Sequence, residues 1–210
     1  MRAIATSLKP RKSPVQARSA VTVDTLHAAT IQVLVREGLS RCTTTRIAER
    51  AGASVGSLYQ YYPNRDALLA AVLEKHLEGV AAAVERACLE HRGRRLSEAA
   101  SAFVVAFLAA KLRAPEEAKA LYAVAEERGG AVLVARMRKR IVAAVAAMLE
   151  SVSDARLDDP VTIATIALGA LVGPVQGVLK EGAPAQFRRR LERELVLLVT
   201  AYFQAHAEAS

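Results

Sequence analysis

Apolar residues in this chain recur every three or four positions, and no glycine-flanked run alternates in the two-residue rhythm of a strand. A period near 3.6 buries one stripe of a helix, whereas a period of 2 buries one face of a sheet. A chain carrying only the first signal has to fold as packed helices. Its 210 residues are enough for a sizeable core, and a hydrophobic share of 52% that is rich in alanine suits helix. Aromatics at 4%, with no tryptophan, argue against an aromatic-rich β core.

Helix breakers divide the pattern. Val23, Leu26, Ile31, Leu34 and Val35 mark an amphipathic helix over Arg18–Glu37, which Gly38 ends. Thr44–Ala51 predicts a short helix capped by a threonine, broken at Gly52. Ser54 is the expected cap of the next, which runs to about Tyr62 and stops at Pro63-Asn64. Asn64 or Arg65 then opens a helix carrying Leu68, Leu69, Val72, Leu73, Leu77 and Val80 to about Glu90. Ser97 is expected to cap a helix that reaches Leu112, and Pro115-Glu116-Glu117 to start one that reaches about Arg128. After Gly129-Gly130 come three more: about Val132–Val152, one opened by Asp158-Asp159-Pro160, and, past Gly182-Ala183-Pro184, about Ala185–His206. The expectation is nine helices in an all-α protein. It divides into a flexible basic arm at 1–17, a small domain at 18–65 and a larger helical domain at 66–210.

Charge separates these parts. Residues 1–65 hold ten Lys/Arg against three acids, a net of +7, while the whole chain carries +8. A basic end on a near-neutral body suits a polyanionic partner, although on charge alone a solvated basic face is an equal reading. Cys42 and Cys88 lie in no CxxC or Cys/His cluster, so neither a disulfide framework nor zinc is implied. Reduced thiols fit the cytosol, and Met1–Leu8 lacks the apolar core of a signal peptide. Val161–Leu179 is free of charge and nominally long enough to span a bilayer, but Thr162, Thr165, Gly169, Gly173, Pro174, Gln176 and Gly177 favour a buried helix in an assembly.

Within the basic third, Thr44–Tyr61 has the parts of a helix-turn-helix. Ile47 and Ala48 turn inward, Ala51 is small enough for two helices to cross, and Gly52 can take the positive φ of a sharp turn. Leu58 and Tyr62, four apart, anchor the second helix. Its other face presents Val55, Gly56, Ser57, Tyr59, Gln60 and Tyr61, with the smallest residues at the end that must approach a major groove. The Thr44 and Ser54 hydroxyls stand at helix N-termini, where phosphate oxygens are favoured. Tyr59 and Tyr61 can donate to phosphate or pack on bases, Gln60 can pair with a base edge, and Arg65 can neutralise a phosphate. A plain helical hairpin with exposed tyrosines is the competing reading.

Over Ala29–Leu69 this pattern resembles the N-terminal domain of the TetR family of transcriptional regulators. The resemblance is carried by Gly38, Thr44-Thr45-x-Ile47-Ala48, Ala51-Gly52-Ala53-Ser54-x-Gly56-Ser57-Leu58-Tyr59-x-Tyr61-Tyr62, Asn64-Arg65 and Leu68-Leu69. It implies a nine-helix TetR-like fold with an N-terminal helix-turn-helix domain and a C-terminal helical domain for effector binding and dimerisation. It also implies a cytoplasmic homodimer on a palindromic double-stranded DNA operator, usually as a repressor, with no cofactor. By position it puts DNA contacts at Thr44, Ser54, Val55, Gly56, Ser57, Tyr59, Gln60, Tyr61 and Arg65. The chain departs from the family at Tyr61, where histidine is frequent, at Tyr62, where phenylalanine is, and at Arg65, where lysine is.

The rest of the chain adds two expectations. Gly169, Gly173 and Gly177 share a helix face and let another helix approach; Phe187, Leu191, Leu195, Leu198 and Tyr202 repeat at helical spacing on the last helix. Two such helices from each subunit make a four-helix dimer interface, as in the family, with intramolecular core as the alternative. The family's small-molecule effector would meet Phe103, Phe107, Tyr122, Glu126, Met137 and Gln176; plain core also explains the aromatics and the methionine, whereas Glu126 and Gln176, if buried, would need a partner. The expected mechanism is a two-state shift carried along Leu68–Glu90 to the DNA-reading heads. An enzyme is not indicated, because His27, His76, His91 and His206 lack metal-ligand spacing, and neither a phosphate loop nor a nucleophile elbow is present. A sequence-indifferent architectural protein and a membrane-surface helix are the remaining alternatives.

Overall fold

The computed structural model describes residues 17–127, 129–181 and 184–208; the expected basic arm lies almost wholly outside them. Among the described residues there are nine α-helices. They are α1 (Ala17–Glu37), α2 (Thr44–Ala51), α3 (Val55–Tyr61), α4 (Arg65–Glu90), α5 (Leu96–Leu112), α6 (Pro115–Glu126), α7 (Gly130–Leu149), α8 (Pro160–Glu181) and α9 (Ala185–Ala205), with a 3₁₀ turn at Leu39–Arg41. The all-α expectation holds, with helix ends displaced by a residue or a few. The largest displacement is α7, which starts on Gly130 itself and ends at Leu149.

The described chain forms two compact units, one running to His76 with Lys119–Val134, the other holding Leu77–Ala118 with Ala135 onward. In the first unit, α1 contributes Leu26, Ala29, Val33 and Leu34 to the core, α2 Ile47 and Ala48, and α3 Leu58; α4 adds Leu68, Leu69, Val72 and Leu73. Each of the Leu, Val and Ile side chains among these contributes about 1.5–3 kcal/mol by leaving water. Thr30 is buried on α1 because its hydroxyl donates to the Leu26 carbonyl at 2.7 Å. At the start of α4 the Asn64 side-chain oxygen accepts from the Ala67 N–H at 2.8 Å, so of the two expected openers Asn64 is the cap.

In the second unit α5 packs along α9, and both meet α8. The buried stripes are Ala99, Phe103, Val104 and Phe107 on α5, Ile163, Ala167, Leu171 and Val175 on α8, and Leu195, Val199 and Phe203 on α9. Ser97 does not cap α5, contrary to expectation. The helix starts at Leu96, two residues earlier than a Ser97 cap would allow, and the Asp154 carboxylate accepts the Leu96 N–H at 2.8 Å. A carboxylate at a helix N-terminus satisfies an orphan donor and also opposes the dipole, which displaces the weaker local serine cap. Within the expected Asp158-Asp159-Pro160 opening of α8, Asp159 is the residue that accepts from the Thr162 N–H, at 3.0 Å. Glu85 and Arg140 join α4 to α7 through paired bonds of 2.8 and 2.7 Å.

Candidate nucleic-acid interface

The first unit presents a helix-turn-helix whose geometry follows from its local sequence. Thr43 caps α2, its hydroxyl accepting from the Arg46 N–H at 3.4 Å. Gly52 ends it at φ 65°, ψ 30°, left-handed backbone that a side chain disfavours. The next residue folds straight back, with the Ala53 N–H donating to the Ala48 carbonyl at 2.9 Å. Ser54 then caps α3, its hydroxyl accepting from the Ser57 N–H at 3.0 Å. Leu58 is wholly buried and Tyr62, which ends the helix, nearly so. These are the two anchors the sequence indicated.

The opposite face of α3 is open. Gly56, Tyr59 and Gln60 are exposed, while Val55, Ser57 and Tyr61 are half-buried. The Tyr59 hydroxyl lies 3.4 Å from the Thr44 hydroxyl, so the start of α2 and the middle of α3 share one surface. The Ser57 hydroxyl sits 2.9 Å from that of Ser54. Arg65 is half-buried and donates to Asp66 at 3.2 Å, which holds its guanidinium at the start of α4. The nine residues expected to touch DNA therefore fall on α2, α3 with its cap, and the first residue of α4. Arg46 pairs with Glu37, and Arg50 donates to the Gln32 side-chain oxygen at 2.5 Å; both tie α2 to α1. The sequence reading missed Thr43 as the cap of α2 and the partner of Tyr62. That partner is His27 on α1, whose Nε2 is 2.7 Å from the phenolic oxygen.

Neither thiol is poised for redox chemistry. Burial pushes the Cys42 thiol up to about 11 and the Cys88 thiol up to about 12, so both stay protonated at neutral pH.

The residues expected around an effector differ in burial. Phe103 and Phe107 are fully buried, their ring centres 6.5 Å apart, and Met137 is buried. Tyr122 and Gln176 are half-buried, and burial raises the Tyr122 phenol. Glu126 is exposed, so its carboxylate makes no demand for a buried partner. Tyr122 and Glu126 belong to the first unit and the other four to the second. A groove of about 840 Å³ in the second unit, walled by Ala87, His91, Ser97, Ser101, Ala102 and Val105 among others, involves none of the six.

On the expected dimer face, Gly169 and Gly173 are exposed and Gly177 half-buried. Phe187 and Leu198 are exposed and Leu191 and Tyr202 half-buried, whereas Leu195 belongs to the chain's own core. Helix α8 is long and apolar enough to cross a membrane by length and composition.

Two family models match. One, described as the bacterial regulatory proteins of the tetR family, matches residues 26–72, and one described as a tetracyclin repressor-like C-terminal domain matches residues 96–203. No curated protein matches the chain. Among solved structures, a transcriptional regulator from Rhodococcus sp. RHA1 is 22% identical, with 90% of this chain and 98% of that one covered, at a TM-score of 0.70. SmeT, the repressor of the Stenotrophomonas maltophilia multidrug efflux pump SmeDEF, is 17% identical over 89% of this chain and 90% of its own, at 0.68. The fatty acid degradation regulator FadR from Bacillus halodurans is 15% identical over 84% and 97%, at 0.65. These neighbours share the fold, and the two family models together take in both the helix-turn-helix and the helical body: the chain belongs to the TetR family of DNA-binding transcriptional regulators.

Proposed function

We propose that the chain is a ligand-responsive repressor that binds a palindromic operator as a homodimer. The observation that carries this reading is the outward face of α3. It is small at its N-terminal end, polar and aromatic further along, and seated through the buried Leu58 and Tyr62. Thr44, Ser54, Val55, Gly56, Ser57, Tyr59, Gln60, Tyr61 and Arg65 make the DNA contacts. Residues 18–65 form the DNA-binding domain, 66–210 the ligand-binding and dimerisation domain, and the basic arm at 1–17 adds phosphate contacts.

One seven-residue helix reaches only a few base edges, so specificity calls for two heads. The second unit has a face suited to pairing. On α8, Ile166 is 51% exposed beside Gly169 and Gly173, and on α9 Leu198 is 48% exposed. The outer side of α9 also carries Arg189, Arg190, Glu192 and Arg193, charges that suit a partner protein in the cytoplasm and not lipid tails. That SmeT is a repressor supports repression here. Effector binding shifts the body, and α4, whose residues belong to both units, is the covalent route to the reading head. The chain acts through DNA and not as an enzyme.

Selection of bound sequences from a random duplex pool tests the reading. The expected product is an inverted repeat with half-sites about 34 Å apart or a multiple of it, preferred over scrambled DNA roughly a thousandfold at fixed salt. Enrichment of single or direct half-sites, or of nothing, refutes the palindromic operator. Leu198→Glu should yield folded monomers in sedimentation. A compound that raises thermal stability yet leaves operator affinity unchanged would remove ligand response.

A further inference from the structure

Two polar side chains meet inside the core behind α3. His27 on α1 is 8% exposed and Tyr62, which ends α3, is 2% exposed. The 2.7 Å bond between them spans 35 residues of sequence, and it ties the end of the reading helix to α1. Packing does not require the phenolic oxygen, since a phenyl ring would fill the same space. The imidazole is half-satisfied: its Nδ1 has no hydrogen-bond partner among the described residues. A neutral ring leaves no charge buried, whichever of the ring nitrogen and the phenol donates in that bond. A doubly protonated ring does, because Nδ1–H then becomes a buried, charged donor without an acceptor.

The charged and titratable groups that face His27 are Asp24 on its own helix, Lys75 on α4 and Tyr62. Asp24 would favour an imidazolium, but it is already paired with Lys75 at 2.7 Å. Burial first, and Lys75 second, draw the imidazole down to about 4, with Asp24 opposing. Tyr62 is pushed up to about 12, mainly by burial, and stays protonated.

We propose that His27 and Tyr62 form a proton-sensitive latch on DNA recognition: the neutral pair pins the end of α3 to α1, and protonation drives His27 from the core and unseats the reading helix. The latch rests on α3 being the reading helix.

Amide hydrogen exchange of α3 in the full chain, at pH 7.5 and pH 5.0, tests it beside His27→Leu/Tyr62→Phe, an apolar pair with nothing to protonate. Between a buried ring at about 4 and an exposed one at 6.5, opening becomes about thirtyfold more favourable at pH 5.0. The ratio of wild-type to double-variant exchange rates in α3 should rise by that factor from pH 7.5 to pH 5.0. Lys75→Gln, at an exposed position, removes a charge that opposes the imidazolium and should shrink the difference. The same ratio at both pH values overturns the latch. Operator affinity reads the consequence, with wild type expected to lose more than the double variant at pH 5.0. Opening without that differential loss overturns the role in DNA recognition, whereas no operator preference at pH 7.5 in either protein refutes the reading role of α3 itself.

Discussion

Gly56 is the position where folding and DNA binding should answer a single methyl group with opposite signs. It is the second residue of α3, where glycine costs about 0.5–1 kcal/mol relative to alanine. The fold has no use for it. Its φ is not positive, and a Cβ added there meets only the Ser54 hydroxyl oxygen, at 3.7 Å, an ordinary contact. Gly56→Ala should therefore stabilise the protein, by about 0.5 kcal/mol because the first helical turn feels propensity least, or about 1–2 °C in Tm. On the proposed reading of α3, the same methyl would point into the groove of the bound operator. Overfilling a closed interface costs about 1–3 kcal/mol, so operator affinity should fall roughly 5- to 150-fold. Calorimetry gives the first number; fluorescence anisotropy with a labelled operator at fixed salt, against a scrambled duplex, gives the second. A destabilised variant would show that the fold itself needs the glycine. Unchanged operator affinity would show that the start of α3 does not approach the bases.

The two faces of α3 should separate in the same way. Leu58→Ala empties a fully buried site and should cost about 2–5 kcal/mol in chemical denaturation. Tyr59→Ala, at a position 40% exposed, should change stability by less than about 0.5 kcal/mol and remove most operator preference; normal binding would mean another helix reads the DNA. Gly52→Ala meets no neighbour but adopts φ 65°, so it should lose about 1 kcal/mol, and Gly52→Asn about half of that by thermal melts; equal losses would point to packing instead of backbone. Acid should weaken the first unit through His27. Its folded value of about 4 lies below the unfolded 6.5, so its contribution is complete above pH 6.5 and is lost as pH falls through 4. The loss is up to about 3 kcal/mol across that window, and a wild type whose denaturation midpoint tracks that of His27→Leu/Tyr62→Phe at every pH would refute it.

What could be read in the sequence was what is decided within one helical turn. The α3 start needs a hydroxyl three residues before a free N–H, the turn before it needs a residue without Cβ, and its seat needs two large side chains four apart. Ser54, Gly52, and Leu58 with Tyr62 meet those needs within eleven residues. The features that escaped depend on distant chain. Ser97 offers a local cap for α5, but Asp154, 58 residues from Leu96, brings a full charge to the same N–H. His27 looks in sequence like a lone histidine without ligand spacing, because the hydroxyl it meets is 35 residues away. The α9 repeat shows the same limit in its sharpest form. Leu195 and Leu198 sit three apart in one apolar series, yet Leu195 closes on the chain's own core and Leu198 stays 48% exposed. Periodicity identifies a stripe, and only the placement of α5 and α8 divides that stripe into the part spent on folding and the part left for a partner. That division is why the helix-turn-helix and its anchors can be placed from sequence, while the exposed part of the α9 stripe needs the fold.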